Sequence, residues 1–158
     1  MTDVEIRPLP GVLLAAATDD VQLEAVPGAV EALFQEVQTA FGHAPGAQDV
    51  PMATYERHDD RMRVTAGYLV GMLVPEGVES VDVEPAEQAA CLEHHGPMSG
   101  VRATWDALHA AIAERGLVAT GIARERYVRA ASDDQADWIV ELQQPVRAAD
   151  ADAGDAAD

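Results

Sequence analysis

The chain has the pattern of one structural unit written twice, with a strand, a helix and two further strands in each half. Each half has a proline at its helix start, at Pro27-Gly28 and at Gly96-Pro97, then an amphipathic stretch, a glycine and a strand that ends on a tyrosine. We therefore predict an α+β fold in which tandem strand-helix-strand-strand repeats form an antiparallel sheet with two helices and a central cleft.

The two amphipathic stretches place apolar residues at helical spacing. The first apolar stripe comprises Val30, Leu33, Phe34, Val37 and Phe41 before a stop at Gly42, and the second comprises Met98, Val101, Trp105, Leu108 and Ile112 before a stop at Gly116. Core packing is the expected role of Trp105. We predict one domain over residues 1–147, with repeats over about 5–74 and 78–147, and a disordered acidic tail over 148–158.

The remaining segments read as strands and turns. Strands are expected in Gly11–Ala17, Met52–Tyr55, Met62–Leu73, Gln88–His95, Gly121–Arg129 and Trp138–Gln143. The charged segment Arg57–Asp60 should form a turn, residues 75–84 a turn-rich connection, and Pro145 should end the closing hairpin.

The charge of the chain limits its partners. The 158 residues carry a formal net charge of −18, and every one of the ten basic residues is arginine. Binding to a polyanion needs a basic face, so nucleic acid and anionic membranes are poor partners. The sequence holds neither an apolar run of membrane-spanning length nor the basic-then-apolar order of a signal peptide, which predicts a cytoplasmic protein.

Few residues have the pattern of a metal or cofactor site. Cys91, Glu93 and His95 alternate onto one strand face, but their spacing matches no strong ligand motif, so we expect no metal. The sequence also contains no GxSxG, Walker, GxGxxG or HExxH motif. We accordingly expect no cofactor.

One carboxylate breaks the apolar pattern of the closing hairpin. In Ala123-Arg124-Glu125-Arg126-Tyr127 side chains alternate, so Glu125 shares a face with Tyr127 while the two arginines share the other. Arginines are most stable facing water, which turns Glu125 inward. A buried carboxylate must be paired, hydrogen-bonded or protonated. Glu125 is therefore either a structural carboxylate held by such partners or a functional one.

Several segments of the second half together resemble a known family. They are Glu93-His94-His95-Gly96-Pro97-Met98, Trp105-Asp106-Ala107-Leu108, Glu114-Arg115-Gly116-Leu117, Arg124-Glu125-Arg126-Tyr127 and Glu141-Leu142-Gln143-Gln144-Pro145-Val146. In order and spacing they are similar to the GyrI-like small-molecule-binding domain, also known as the effector-binding domain of AraC-type and multidrug-responsive transcription activators. The resemblance covers nearly all of residues 5–147 and is strongest from residue 88 onward.

The resemblance implies a site as well as a fold. Members of the family bind cationic, aromatic ligands with a glutamate in an E-x-Y strand, and that residue here is Glu125. The candidate ligand contacts are Glu125, Tyr127, Tyr55, Tyr68, Trp138 and Met52. The implied function is that of a stand-alone binding protein, in transcriptional regulation or in the sequestration of a toxic small molecule.

Two other functions remain open. Some GyrI-like proteins hydrolyse strained electrophiles such as cyclopropane-containing genotoxins, and an enzyme of that kind would use Glu125 as a base and Tyr127 or Tyr55 as a proton donor. Alternatively, the module binds and inhibits a protein partner. The sequence shows no helix-turn-helix candidate, so we do not expect this chain to bind DNA directly.

Overall fold

The computed structural model describes residues 4–41, 50–69, 76, 78–130, 132 and 134–149. The two α-helices are α1 (Val26–Phe41) and α2 (Val101–Glu114). The strands are β1 (Glu5–Leu9), β2 (Val12–Gln22), β3 (Pro51–His58), β4 (Arg61–Leu69), β5 (Glu79–Val83), β6 (Ala86–His95), β7 (Leu117–Ala119), β8 (Ala123–Arg129) and β9 (Ile139–Ala148). Within these ranges the strands pair antiparallel, which confirms the predicted α+β class.

The chain divides into two compact units. We call one the Glu125 unit, comprising the described residues of Pro10–Pro85 together with Arg124–Arg126. The other, the Trp138 unit, comprises those of Met1–Leu9, Ala86–Ala123 and Tyr127–Asp158. The middle of β8 thus belongs to one unit and its two ends to the other.

In the Glu125 unit the strands follow the order β5-β2-β4-β3, with the middle of β8 beside β3. Helix α1 packs on β2 and β4 and buries Leu33 and Val37 of its apolar stripe, as the periodicity predicts. The sheet face that carries Leu14, Ala16, Met52 and Val83 forms an apolar cluster of its own. Both faces of this sheet therefore have buried side chains.

In the Trp138 unit the order is β1-β6-β9-β8, and β7 pairs with the last residues of β9. Helix α2 packs on β6 and β7 and buries Leu108 and Ile112. The left-handed backbone of Gly116 (φ 70°) follows the end of α2, a conformation that glycine adopts without strain. Neither helix in the described chain is long and apolar enough to cross a membrane.

The short strands β1 and β5 are absent from the sequence prediction, which treats residues 75–84 as a connection. β1 pairs with β6, and β5 pairs with β2, so each belongs to a different unit from the strand that follows it in sequence. The strand orders of the two units correspond, with β5 matching β1, β2 matching β6, β4 matching β9 and β3 matching β8. β1, the first strand of the first half, therefore belongs to the Trp138 unit, and β5, the first strand of the second half, belongs to the Glu125 unit.

Two predicted ends are wrong. Pro145 does not end the closing hairpin, because it lies opposite Ala89 within β9 and its carbonyl accepts the Thr120 N–H at 2.8 Å. The tail does not begin at residue 148, because Ala148 pairs with Leu117 of β7. Residues 150–158 of the predicted tail, the helix stop at Gly42 and residues 70–73 of the predicted strand lie outside the described residues.

Gly67 is required at a close approach of β2 and β4. A Cβ atom at this position would lie 2.1 Å from the Ala15 carbonyl oxygen and 2.6 Å from the Ala16 Cα atom. We expect Gly67→Ala to lower the free energy of unfolding by about 3 kcal/mol, because main chain on the neighbouring strand must move. Urea denaturation measures this change.

Gly28→Ala is the matched control. No described atom lies within 4 Å of a Cβ at Gly28, in the first turns of α1. Alanine favours the helix, so this change should leave stability unchanged or raise it by up to about 1 kcal/mol. Equal stability of the two variants would contradict the close approach of β2 and β4.

Candidate functional site

The middle of β8 buries two opposite charges in consecutive residues. Arg124 is 2% exposed and Glu125 is 3% exposed. The inward position of Glu125 agrees with the alternation of the sequence. The prediction that Arg124 faces water is wrong. The main-chain carbonyls of Pro10 and Glu84 cover this side of the strand and accept hydrogen bonds from the Arg124 guanidinium.

Glu125 is hydrogen-bonded to a tyrosine on the neighbouring strand. The Tyr55 hydroxyl donates to Glu125 Oε1 at 2.6 Å, a short distance typical of an O–H group bonded to a carboxylate. Both residues belong to the Glu125 unit, in which β8 lies beside β3. The fold thus joins two predicted site residues that are 70 positions apart in sequence.

The register of β3 and β4 separates Tyr68 from this pair along one sheet face. Tyr55 lies opposite Val64 and Pro51 lies opposite Tyr68, so the two tyrosines share a face but are four residues apart along β3. Four strand residues span about 13 Å. Tyr68 is covered by α1, where the Phe34 ring lies edge-on at 5.8 Å and the Gln38 amide donates to the Tyr68 hydroxyl at 2.8 Å.

Met52 lies on the opposite face of the same sheet. Met52 pairs with Gly67 and lies three residues before Tyr55. The Met52 side chain is in the apolar cluster of Leu14, Ala16 and Val83. The structure therefore does not bring Met52 together with Tyr55. Side chains on a strand alternate between faces, so two residues that are three positions apart, as Met52 and Tyr55 are, point to opposite faces.

The other two predicted aromatic residues meet each other in the Trp138 unit. The Tyr127 and Trp138 rings are edge-on, with centroids 6.2 Å apart and planes at 83°. Tyr127 is 7% exposed and Trp138 is half-buried. The indole N–H of Trp138 donates to the Ser132 carbonyl at 2.9 Å, so the loop between β8 and β9 fixes this ring.

Two aspartates order that loop. The Ser132 hydroxyl and amide both donate to the Asp137 carboxylate, and the Ala136 amide donates to Asp134 at 3.0 Å. The Ser132 hydrogen bond is the main cause that lowers the pKa of Asp137, and the Ala136 amide is the main cause that lowers the pKa of Asp134, with a further contribution from Ser132. Hydrogen bonds to the charged form favour ionisation.

His94 has a structural arrangement. It is 5% exposed, its Nε2 donates to the Pro97 carbonyl at 2.9 Å, and its Nδ1 lies 2.7 Å from the Thr104 hydroxyl. These bonds join the end of β6 to the start of α2. The Nε2 atom of the neighbouring His95 lies 3.1 Å from Glu93 Oε1 on the exposed side of β6. Among the described residues no group of three potential ligands could hold a metal ion.

We expect Ser132→Ala to raise the pKa of Asp137 toward its ordinary value, and that of Asp134 by less, because Ser132 is the principal partner of Asp137 only. Both folded pKa values lie below the unfolded ones. Their contribution to stability is therefore present above the unfolded value near pH 4 and is lost as pH falls through the folded pKa. Carboxyl NMR titration measures both residues. A larger rise at Asp134 than at Asp137 would contradict the assigned hydrogen bonds.

Solved structures with this fold are similar to the chain at low sequence identity. The C-terminal domain of EcmrR has a TM-score of 0.70 and 16% identity, with 94% of this chain and 99% of that one covered. SAV2435, solved bound to tetraphenylphosphonium, has a TM-score of 0.71 and 13% identity, with 92% and 94% covered. A hydrolase from Listeria innocua has a TM-score of 0.59 and 16% identity, with 92% of both chains covered.

These likenesses show the fold alone, and no curated protein matches the chain in sequence. The family is shown by a family model, which matches residues 2–147 and describes a GyrI-like small-molecule-binding domain. The match spans both units described above. The chain belongs to the GyrI-like small-molecule-binding domain family.

Proposed function

We propose that this domain binds a cationic, aromatic small molecule and that the carboxylate of Glu125 is the anion that the ligand contacts. The observation that carries the proposal is a buried glutamate whose Oε1 accepts a hydrogen bond from Tyr55 at 2.6 Å. A carboxylate removed from water attracts a cation more strongly than one at the surface. An adjacent tyrosine ring adds attraction through its negative face.

The overall charge supports the same class of ligand. A net charge of −18 raises the concentration of cations near the protein and opposes an anionic ligand. This field is long-ranged and screened by salt, so it does not by itself define a site. Glu125 supplies the local contact, and Tyr127, Tyr68 and Trp138 stay predicted contacts, whereas Met52 lies on the opposite sheet face from Tyr55.

One similar structure supports a ligand-binding role, and another supports a regulatory setting. SAV2435 was solved with tetraphenylphosphonium, a lipophilic aromatic cation, and EcmrR was solved both as a C-terminal domain and in a complex with DNA. We infer that this chain acts through ligand capture, either as a regulatory module or by sequestration in the cytoplasm. A direct contact with DNA is not part of the proposal, since a net charge of −18 opposes binding to a polyanion.

The test is calorimetric titration with tetraphenylphosphonium and ethidium against the wild type and Glu125→Gln. The substitution keeps the shape of the side chain and removes its charge, so we expect affinity to fall by at least about tenfold, as for loss of a charge pair in a partly dry site. The melting temperature of the wild type should rise with ligand, because a ligand that binds only the folded state stabilises it.

Glu93→Gln is the matched control, since Glu93 is an exposed carboxylate on β6. It removes the same charge from the whole-protein field and should leave affinity nearly unchanged. Equal losses in the two variants would assign binding to the diffuse field and contradict the role of Glu125. Absence of binding to the wild type would remove the cation proposal in favour of an uncharged electrophile or a protein partner.

Hydrolysis of a strained electrophile is the second candidate function. The Tyr55 and Glu125 pair also has the composition of a general acid and base, and a structure similar to this chain is that of a Listeria innocua hydrolase. In this reaction Glu125 takes a proton from water, the oxygen of that water bonds to a ring carbon, and a tyrosine hydroxyl protonates the carbon released as the ring opens.

If the protein is this hydrolase, a cyclopropane-containing alkylating agent should gain one water molecule in the presence of the wild type, as seen by mass spectrometry. Glu125→Gln should lower the rate by at least about a hundredfold, because it removes the base. Tyr55→Phe should lower it as well, unless Tyr127 supplies the proton. Substrate that stays intact at equimolar wild-type protein would reject hydrolysis and leave ligand binding.

A further inference from the structure

Arg124 is a buried arginine that holds together three distant parts of the Glu125 unit. Its Nη1 donates to the Pro10 carbonyl at 3.0 Å and its Nη2 donates to the Glu84 carbonyl at 2.6 Å. These acceptors are 114 and 40 residues away in sequence. Hydrogen bonds to Nη1 and Nη2 lower the cost of removing this guanidinium from water, so the two carbonyls and the arginine stabilise each other.

The two carbonyls belong to the short connections that lead out of β1 and β5. Pro10 and Gly11 join β1 to β2, and Glu84 and Pro85 join β5 to β6. The connections pack against each other, because a Cβ on Gly11 would lie 3.2 Å from Pro85 Cδ and 3.4 Å from the Val83 carbonyl oxygen. Arg124 thus fixes the middle of β8 against a pair of packed connections.

The residue fixed next along the chain is Glu125. Successive side chains of a strand point to opposite faces, so the Arg124 guanidinium is anchored on one side and the Glu125 carboxylate meets Tyr55 on the other. A shift of β8 by one residue would move Glu125 by about 3.3 Å along the strand. Such a shift would break the 2.6 Å hydrogen bond between Tyr55 and Glu125.

We infer that Arg124 is the positioning residue of the candidate binding site, which holds Glu125 at the Tyr55 hydroxyl by bonding both connections at once. The inference rests on the proposed function for its effect on a ligand. Its effect on the Tyr55 and Glu125 hydrogen bond does not depend on any ligand. Arginine suits this role because its planar fork reaches two acceptors in fixed directions, whereas lysine has one nitrogen.

The first variants are Arg124→Met and Arg124→Lys, with Arg126→Met as the matched control. Arg126 is the other sequence neighbour of Glu125 and is half-buried. We expect Arg124→Met to weaken ethidium binding about tenfold in the folded protein at temperatures far below its melting point, since a misplaced contact group loses most of its interaction. Arg124→Lys should recover part of the loss, and Arg126→Met should bind as the wild type does.

The ligand-independent measurement is the carbon NMR shift of Tyr55 Cζ, which reports on the hydroxyl hydrogen bond. The chain has three tyrosines, and Tyr55→Phe assigns the signal. The shift should move in Arg124→Met and stay in place in Arg126→Met. If the wild type binds no cation, the proposed function fails, and this NMR shift alone then supports or rejects the positioning role.

Gly11→Ala gives a second perturbation in case Arg124→Met does not fold. It keeps the arginine and pushes the two connections apart, so it should move the Tyr55 signal in the same direction and weaken ethidium binding by less. Folded Arg124 or Gly11 variants with a wild-type Tyr55 signal would overturn the inference. Lower thermal stability with unchanged affinity and an unchanged signal would overturn it too, because that pattern belongs to a purely structural arginine.

Discussion

The burial of two opposite charges at the middle of β8 is the constraint on which the rest of the Glu125 unit depends. Arg124 and Glu125 are both nearly inaccessible, and each reaches its partners from a different side of the strand. The arginine bonds main-chain carbonyls of two connections, and the glutamate accepts the hydroxyl of a tyrosine on β3. A β-strand with one polar residue inward is common, but burying charges on both sides requires the chain to cover both faces.

The two connections that follow β1 and β5 supply that cover on the Arg124 side. Pro10 and Glu84, one in each connection, both accept hydrogen bonds from the Arg124 guanidinium through their main-chain carbonyls. Gly11 allows the connections to touch, because any larger residue would press on Pro85. The same arrangement explains why residue 124, which alternation assigns to the solvent side, is one of the largest fully buried side chains.

The sequence predicts the helices, most strands and the inward position of Glu125, because these follow from local periodicity. It predicts the hairpins β3-β4 and β8-β9, but not the pairing of strands that are distant in sequence. Nothing in Glu79–Val83 indicates that β2 is its partner. The burial of Arg124 is missed for the same reason, since its acceptors are 114 and 40 residues away. The Tyr55 and Glu125 contact spans 70 residues and depends equally on pairing.

The central claim is that a buried carboxylate, and not the diffuse negative charge of the surface, binds the ligand. The most direct test is the salt dependence of tetraphenylphosphonium affinity. Exposed charges interact over about 10 Å at 0.1 M salt but over only about 3 Å at 1 M salt. We expect the difference in binding free energy between the wild type and Glu125→Gln to persist at 1 M salt, because water and ions do not enter between buried partners. A difference that vanishes as salt rises would contradict it and assign binding to the surface charge.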